Sequence, residues 1–223
     1  MDESKKAAAM QALGLVKPGM AVGLGTGSTA EIFIELLGKK NRGKDMGLAC
    51  IATSNASEKQ ARRLGLPLAG FDEIKRLDIA FDGADQVDRS LCLIKGLGGA
   101  LVREKIVDYR AEKFVVMVGE NKVMETLCGT VPVEIIPLAE EAVKRDLLKL
   151  GAVRFETRMD GGRKFMSDNS NVIVHADFPK IRDPVRLEDG INRIAGVVDN
   201  GIFSQKKPIV IVGNGSGSAR RLG

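Results

Sequence analysis

Residues 20–29, MAVGLGTGST, decide how the first half of this 223-residue chain folds. The stretch begins as a short apolar run, passes through three alternate glycines and ends on two hydroxyl residues, Ser28 and Thr29. That pattern is typical of a β-strand that turns directly into a helix. Backbone N–H groups at such a turn lie at the positive end of the helix dipole, so the sequence predicts an anion-binding loop at 23–29. A tight turn that binds no ligand is the alternative interpretation.

Apolar β-like runs and amphipathic helical stretches alternate around this loop, which indicates an α/β domain with an open, mostly parallel sheet. The expected elements are helix 4–16, strand 20–23, helix 29–37, strand 48–52, helix 55–64, strand 77–81, helix 101–108 and strand 113–118. The spacing G-x-G-x-G differs from the G-x-G-x-x-G of dinucleotide-binding loops, and the loop lacks the lysine of a P-loop. A dinucleotide or nucleoside triphosphate is therefore not the expected ligand.

From about Gly129 the pattern changes to strand 131–136, helix 138–150, strand 153–157, strand 172–176, helix 187–194 and strand 197–203. This order is the split β-α-β arrangement of a ferredoxin-like α+β module. A buried-strand pattern at 208–212 then returns to the first sheet. We therefore predict one domain made of residues 1–128 and 204–223, with a smaller domain inserted at 129–203.

Composition excludes several classes of protein. With 44% apolar and 28% charged residues the chain is globular, and no apolar run approaches the ~20 residues that span a bilayer. Three widely separated cysteines, Cys50, Cys92 and Cys128, rule out a disulfide framework and a paired zinc motif, which fits a reducing cytoplasm. The net charge of +5 favours an anionic partner, but the chain has no Trp and one Tyr for stacking on bases. A phosphorylated small molecule is thus favoured over nucleic acid.

Two carboxylates follow the predicted strand 77–81 in the motif Asp82-Gly-Ala-Asp85. Ligands gather beyond the carboxyl ends of strands in open α/β sheets, so these acids are placed to share proton-transfer duties. The spacing does not match a calcium loop, and no imidazole or thiol lies nearby to bind a transition metal. Turn-forming acids that cap backbone amides are the alternative.

A glycine-rich turn starts at Lys95 and leads into a helix that carries Glu104. A lysine ammonium and loop amides can stabilise a developing oxyanion, while a desolvated carboxylate can shuttle a carbon-bound proton. A solvated glutamate near a helix N-terminus is the alternative for Glu104. Lys122 follows strand 113–118 as a candidate phosphate contact or a plain surface lysine, and His175 is expected to be a satisfied interior or interface histidine.

Six sequence blocks together resemble those of one family, ribose-5-phosphate isomerase type A. They are GTGSTA at 25–30, DGADQVD at 82–88, IKGLGGALVREKI at 94–106, VPVEIIPLA at 131–139, SDNSNVIVHADF at 167–178 and INRIAGVVDNGIF at 191–203. The resemblance covers nearly the whole chain. It implies a Rossmann-like domain with an inserted ferredoxin-like domain, a homodimer or homotetramer, no cofactor or metal, and interconversion of ribose 5-phosphate with ribulose 5-phosphate in the pentose phosphate pathway.

The resemblance also implies roles for individual residues. Glu104 would shuttle the proton, Lys95 would stabilise the oxyanion, and Asp82 and Asp85 would act on sugar hydroxyls and ring opening. The substrate-binding set would be Thr26, Gly27, Ser28, Thr29, Asp82, Gly83, Ala84, Asp85, Lys95, Gly96, Leu97, Gly98 and Lys122.

The chain departs from the family pattern at three places: Leu97 interrupts a glycine run, Gly119-Glu-Asn-Lys122 replaces an acid-Glu-Ser-Lys stretch, and the tail from Gly213 differs. Since glycines flank Leu97, we expect this leucine to adopt a negative φ. Its side chain would then point away from the ligand, and its backbone amide would point toward the ligand.

Two functions are alternatives to the isomerase. One is a sugar-phosphate sensor without activity, which would need an output module. The other is an amino-sugar-phosphate deaminase, which would need a histidine near the site.

Overall fold

The computed structural model describes residues 2–222. The chain folds as two units: one comprises the chain up to Ala84, Arg103–Val123 and the chain from Lys206 onward, and the other comprises Asp85–Val102 and Met124–Gln205. The domain boundaries expected from the sequence stay a prediction. The second unit takes in residues 85–102, 124–128 and 204–205 as well as the predicted insertion.

Residues 2–222 contain six α-helices and fifteen strands. The helices are α1 (Glu3–Leu13), α2 (Ser28–Gly43), α3 (Asn55–Arg63), α4 (Leu101–Arg110), α5 (Glu140–Lys149) and α6 (Pro184–Asn192). The strands are β1 (Ala21–Leu24), β2 (Ala49–Ala52), β3 (Ile79–Asp82), β4 (Gln86–Val87), β5 (Leu93–Ile94), β6 (Lys113–Gly119), β7 (Gly129–Ile135), β8 (Arg154–Thr157), β9 (Met159–Asp160), β10 (Arg163–Lys164), β11 (Val172–Phe178), β12 (Val197–Asn200), β13 (Ile202–Phe203), β14 (Ile209–Gly213) and β15 (Ala219–Leu222). None of the helices described is both long and apolar enough to cross a membrane.

The first unit is built on a six-stranded sheet in the order β15-β14-β6-β3-β1-β2. All neighbouring strands are parallel except the antiparallel pair β14–β15. Strands β2 and β3 lie on opposite sides of β1, so the order in which the chain adds strands to the sheet reverses between β1 and β3. Ligands bind in open α/β sheets beyond the strand ends at such a switch point. The predicted open, mostly parallel sheet is confirmed.

Side-chain caps and apolar packing explain why the elements of this unit form. The Ser54 hydroxyl accepts a hydrogen bond of 3.1 Å from the Ser57 N–H at the start of α3, which satisfies one of the unpaired donors of the first helical turn. Phe33 of α2 stacks on Phe81 of β3 with ring centroids 4.2 Å apart. Both rings are fully buried, so α2 is fixed over the sheet beside the strand ends.

The second unit contains a four-stranded antiparallel sheet in the order β12-β7-β11-β8. Helix α5 connects β7 to β8 and helix α6 connects β11 to β12, which is the ferredoxin-like arrangement expected from the sequence. Apolar side chains of the two helices, such as Val143 and Ile191, pack with those of β7 and β11 in one buried cluster. A separate three-stranded sheet, β13-β5-β4, completes the unit together with the hairpin β9–β10.

The structure differs from the predicted elements in several places. The strand expected at 197–203 is divided into β12 and β13 by Gly201, where a Cβ atom would lie 2.3 Å from the Lys95 carbonyl oxygen. Helix α2 continues to Gly43 instead of ending at Leu37. Gly38 does not end the helix but allows its close approach to Leu64, since a Cβ atom at Gly38 would lie 2.8 Å from Leu64 Cβ. The tail forms β15, which pairs with β14 at the edge of the sheet.

Candidate functional site

The glycine turn after β1 closes directly over the end of β3. The Gly25 N–H donates to the Phe81 carbonyl at 2.9 Å, and the Thr26 N–H donates to Asp82 Oδ1 at 3.0 Å. A Cβ atom on Gly25 would lie 2.2 Å from that same carboxylate oxygen, so any side chain there would force Asp82 to move. Gly27 has a φ of 97°, in the region that favours glycine, and helix α2 begins at the next residue.

The Thr26 hydroxyl binds other hydroxyl groups of the protein. It lies 2.7 Å from Thr53 Oγ1 and 2.8 Å from Ser54 Oγ, at the end of β2 and the start of α3. Ser57 Oγ in turn donates to the Gly25 carbonyl at 2.5 Å. Thr53, Ser54 and Ser57 together fix the shape of the turn, and the sequence analysis did not assign them to the site. The signal for them was a cluster of hydroxyl residues where β2 ends.

An ammonium group lies beside the first turn of α2. Lys5 of α1 donates from Nζ to Ser28 Oγ at 3.0 Å and lies 3.7 Å from Asp2 Oδ2. Because helix N-terminal N–H groups and an ammonium both attract anions, the predicted anion-binding loop gains a cation that the sequence analysis missed. Nothing in the local sequence around Lys5 marks it, because the contact depends on α1 packing against α2.

The carboxylate of Asp82 is fully buried at the end of β3. Its Oδ1 accepts hydrogen bonds from the Thr26 N–H and, at 2.7 Å, from the Gly83 N–H. The chain continues through Ala84 to Asp85, which belongs to the second unit. There the Asp85 N–H donates to the Ile94 carbonyl at 2.8 Å, and Asp85 Oδ2 accepts from the Leu97 N–H at 3.2 Å.

Lys95 is buried in the second unit, with 2% of its surface exposed. Its Nζ lies 5.4 Å from the centroid of the Phe203 ring, within the range of a cation–π interaction. Its N–H donates to the Gly201 carbonyl at 2.8 Å. Burying an ammonium removes it from water, which is costly unless another group interacts with its charge. A buried lysine is therefore suited to stabilise a negative charge that develops on a ligand.

The residues after Lys95 form a tight turn, which Gly96 and Gly99 permit through φ angles of 87° and 96°. The Gly99 N–H closes the turn by donating to the Gly96 carbonyl at 2.9 Å. Leu97 does not have a positive φ, and 37% of it is exposed. The expected unstrained backbone at Leu97 is therefore confirmed. Its amide, however, donates to Asp85, a partner that the sequence analysis did not anticipate.

Glu104 lies in the first turn of α4 with 3% of its surface exposed, so it is not the solvated glutamate of the alternative interpretation. The neighbouring Arg103 donates to Asn55 Oδ1 at 2.9 Å. Lys122 ends the short 3-10 turn that follows β6 and is half-buried. Within residues 2–222 its side chain makes no hydrogen bond or ion pair.

His175 is a half-buried residue of β11 in the second unit. Burial lowers the pKa of its imidazole, and Arg158 nearby lowers it further. Nε2 has no hydrogen-bond partner among the described residues, so the prediction of a histidine satisfied within the interior of this chain is wrong, and the interface alternative stays a prediction. Among residues 2–222 no three side chains of His, Cys, Asp or Glu lie close enough to hold a metal ion, and the three cysteines are free thiols.

These features define a class of protein: an α/β protein in which one parallel strand runs through a glycine turn into a helix and the neighbouring strand ends in the buried carboxylate of Asp82. The sequence profile of ribose 5-phosphate isomerase A (phosphoriboisomerase A) matches residues 49–217. Ribose-5-phosphate isomerase A of Pyrococcus horikoshii is 43% identical, with 97% of this chain and 96% of the relative covered. The chain belongs to the ribose 5-phosphate isomerase A family.

Solved structures agree with this assignment. Ribose 5-phosphate isomerase A from Methanocaldococcus jannaschii superposes with a TM-score of 0.92 at 42% identity, over 98% of this chain and 97% of that one. A D-ribose-5-phosphate isomerase in complex with phospho-erythronic acid gives a TM-score of 0.93 at 41% identity, over 98% and 96%.

Proposed function

We propose that this isomerase interconverts D-ribose 5-phosphate and D-ribulose 5-phosphate through an enediolate. The observation that carries the proposal is the buried carboxylate of Glu104 on the first turn of α4, in a chain that belongs to this family. Exchange of an aldose with a ketose needs one base to move a proton between neighbouring carbons and an electrophile to hold the oxyanion. Glu104 and Lys95 supply these two groups.

The proposed reaction moves hydrogens within the substrate and needs no co-reactant. Glu104 removes the proton from C2, and the electron pair of that bond forms the C1–C2 double bond of the enediolate, whose oxyanion Lys95 stabilises. Glu104 then returns the proton to C1, while the hydroxyl proton of C2 moves to the oxygen of C1. Asp82 and Asp85 bind sugar hydroxyls and assist ring opening.

The phosphate group is proposed to bind at the glycine turn. The N–H groups of Gly27, Ser28 and Thr29 open helix α2, and the Lys5 ammonium lies 3.0 Å from the Ser28 hydroxyl. Lys122 adds a second cation. Helix N-terminal amides with flanking ammonium groups are a common way of binding phosphate. Gly83, Ala84, Gly96, Leu97 and Gly98 complete the proposed substrate-binding set.

The ligand found in one relative supports this chemistry. The structure of that relative is a complex with phospho-erythronic acid. The carboxylate of this ligand has two oxygens on one planar carbon, and an enediolate likewise has its oxygens on planar carbons. Transition-state-like acids bind isomerases because the site complements the reacting species. We further propose that the chain acts without cofactor or metal, as a cytoplasmic homodimer or homotetramer, in the non-oxidative branch of the pentose phosphate pathway.

Ultraviolet detection of ketose formation from ribose 5-phosphate by the purified protein tests the proposal. We expect ketose to accumulate until it reaches equilibrium with the aldose. A sensor without activity would bind ribose 5-phosphate and form no ketose. A deaminase would act on an amino-sugar phosphate and leave ribose 5-phosphate unchanged, so either result would contradict the proposed function.

A further inference from the structure

Residues 95–99, here called the reaction loop, are anchored at both ends by backbone hydrogen bonds. Lys95 donates to the Gly201 carbonyl at 2.8 Å, and Gly99 donates to the Gly96 carbonyl at 2.9 Å. The middle of the loop, Leu97, is held by side chains instead. Its N–H donates to Asp85 Oδ2 at 3.2 Å, and its carbonyl accepts from Arg158 Nη1 at 2.9 Å.

Arg158 itself is firmly placed. It lies between β8 and β9, and its N–H donates to the Ile173 carbonyl of the central strand β11 at 2.8 Å. Its guanidinium carbon lies 3.8 Å from the centroid of the Phe165 ring, which is a stacked cation–π contact. A Cβ atom on Gly99 would lie 2.6 Å from both Arg158 Nη1 and Phe165 Cε1, so the reaction loop packs directly on this pair.

The turn that follows Phe165 is fixed to the sheet by a buried carboxylate. Glu134 of β7 is fully buried, and its Oε1 accepts hydrogen bonds from Ser167 Oγ at 2.9 Å and from Asn171 Nδ2 at 2.9 Å. Asn169 donates to the same oxygen at 3.0 Å. The aromatic surface beneath the Arg158 guanidinium is thus attached to the middle of the sheet rather than to a mobile loop.

We propose that Arg158 is a positioning residue for the isomerisation, which it serves by fixing the Leu97 carbonyl and hence the reaction loop. The inference rests on the proposed function. A charge-assisted hydrogen bond to the Leu97 carbonyl polarises the peptide unit that it shares with the Gly98 N–H, which makes that N–H a better donor to an anionic ligand. Arg158 also keeps the residues next to Lys95 in one geometry, and small displacements of reacting groups are costly in rate.

Arg158→Gln tests the role, with Arg163→Gln as the matched control. Arg163 lies in the same hairpin, is exposed, and undergoes the same change of charge. Two kinds of measurement are made: exchange of the Leu97 amide with water by NMR in the ligand-free protein, and the steady-state kinetics, kcat and KM, for ribose 5-phosphate. We expect Arg158→Gln to speed Leu97 exchange and to lower kcat, each by at least ~10-fold, with KM within about 3-fold of wild type. We expect Arg163→Gln to change neither.

Unchanged exchange at Leu97 in Arg158→Gln would overturn the proposal, and so would faster exchange with unchanged kcat. If Arg158→Gln raises amide exchange throughout the second unit, the same criteria are applied to Arg158→Lys, which keeps the charge but loses the planar stacking group. A wild-type protein that forms no ketose would overturn the proposed function and with it the catalytic role. The Leu97 exchange rates would still report whether Arg158 orders the loop, because they require no substrate.

Discussion

Gly25 is a residue of the first unit at which one added methyl group would collide with a candidate site residue, Asp82. A methyl group there would lie 2.2 Å from Asp82 Oδ1 and 2.6 Å from Asp82 Cα, so the buried carboxylate and the strand end must move. We expect Gly25→Ala to cost about 1–3 kcal/mol of stability and to reduce turnover by at least ~10-fold. Denaturant unfolding and ketose-formation rates measure the two effects.

Gly215→Ala is the control for this prediction. Gly215 lies in the turn before β15, does not have a positive φ, and has no atom within 4 Å of an added Cβ. Its substitution should stay within ~0.5 kcal/mol of wild type. A Gly25→Ala variant that is as stable and as active as Gly215→Ala would show that Asp82 does not depend on the turn.

Glu104→Gln should lower kcat by at least ~10²-fold while ribose 5-phosphate still binds, since the amide keeps the shape of the side chain but cannot accept the C2 proton. Calorimetric binding and rate measurements together give the two quantities. Glu112→Gln is the control, because Glu112 is an exposed partner of Arg76 in the same unit. Near-normal turnover in Glu104→Gln would move the base to Asp82 or Asp85.

Leu97→Gly should change the KM for ribose 5-phosphate by less than about tenfold, or ~1.4 kcal/mol, and should not raise turnover substantially. The reason is that Leu97 does not have a positive φ, so glycine relieves no backbone strain there. The contacts of its N–H with Asp85 and of its carbonyl with Arg158 use backbone atoms that glycine retains. Steady-state kinetics decide, and a glycine variant that binds substrate more than tenfold tighter would identify a strained leucine.

Residues of the site differ in how far sequence reasoning could reach them. Asp82, Lys95 and Glu104 stand in motifs that could be identified from the local sequence, and the structure buries all three. Lys5 and Arg158 were not identified. Each acts through a contact with a residue 23 or 61 positions away in the chain, which only tertiary packing creates.

Helix α5 shows how an element of the second unit is fastened to its neighbours. Glu140, at the start of the helix, accepts hydrogen bonds from Lys144 at 2.8 Å and from Lys164 of β10 at 2.5 Å, and also from the Thr157 hydroxyl of β8. Burial alone would raise the pKa of Glu140, but these three donors outweigh it and lower the pKa from 4.5 to about 2. The ionised carboxylate therefore joins a helix to two strands.

Glu140→Gln should destabilise the protein by ~2 kcal/mol or more at neutral pH, because the variant leaves Lys144 without its buried charge partner. The folded-state pKa is depressed, so this stabilisation is complete above pH 4.5 and is lost as the pH falls toward about 2. Wild type and variant should therefore converge over that range in denaturant unfolding. Glu141→Gln is the control, since Glu141 also contacts Lys144 but is exposed. A difference that stays constant down to pH 2 would contradict the account.

Strand β6 was predictable from its long apolar run, because a parallel strand buried on both faces requires continuous apolar sequence. The short strands were not. Strands β4, β5, β9 and β10 have two residues each, too few for any periodicity, and their pairing is a tertiary property. Strand β15 reads ARRL, a charged edge strand that pairs only because β14 lies beside it.

At the scale of the whole molecule, the alternation of strands and helices predicts the fold class but not the order of strands in the first sheet. No feature of the sequence between β1 and β3 predicts that β2 pairs with β1 at the edge of the sheet, on the side of β1 away from β3. That choice creates the switch point where the glycine turn meets Asp82. The ferredoxin-like module was more predictable, because its order of elements admits few sheet arrangements once short, right-handed connections are required.

Activity should survive prolonged chelation of divalent metals. The proposed chemistry uses a carboxylate for proton transfer and an ammonium for the oxyanion, so no step needs a Lewis acid. The rate of ketose formation is measured before and after dialysis against a chelator, and we expect no change. Activity that disappears on chelation and returns with a divalent ion would contradict the mechanism.

The central claim, isomerisation by proton transfer through an enediolate, is tested most directly by running the reaction in deuterium oxide. Wild-type protein is incubated with ribose 5-phosphate to equilibrium, and the sugar phosphates are analysed by NMR. Because the proton held by a carboxylate exchanges with solvent, we predict ribulose 5-phosphate with deuterium at C1 and recovered ribose 5-phosphate with deuterium at C2. Absence of ketose, or ketose without deuterium after prolonged equilibration, would contradict the account.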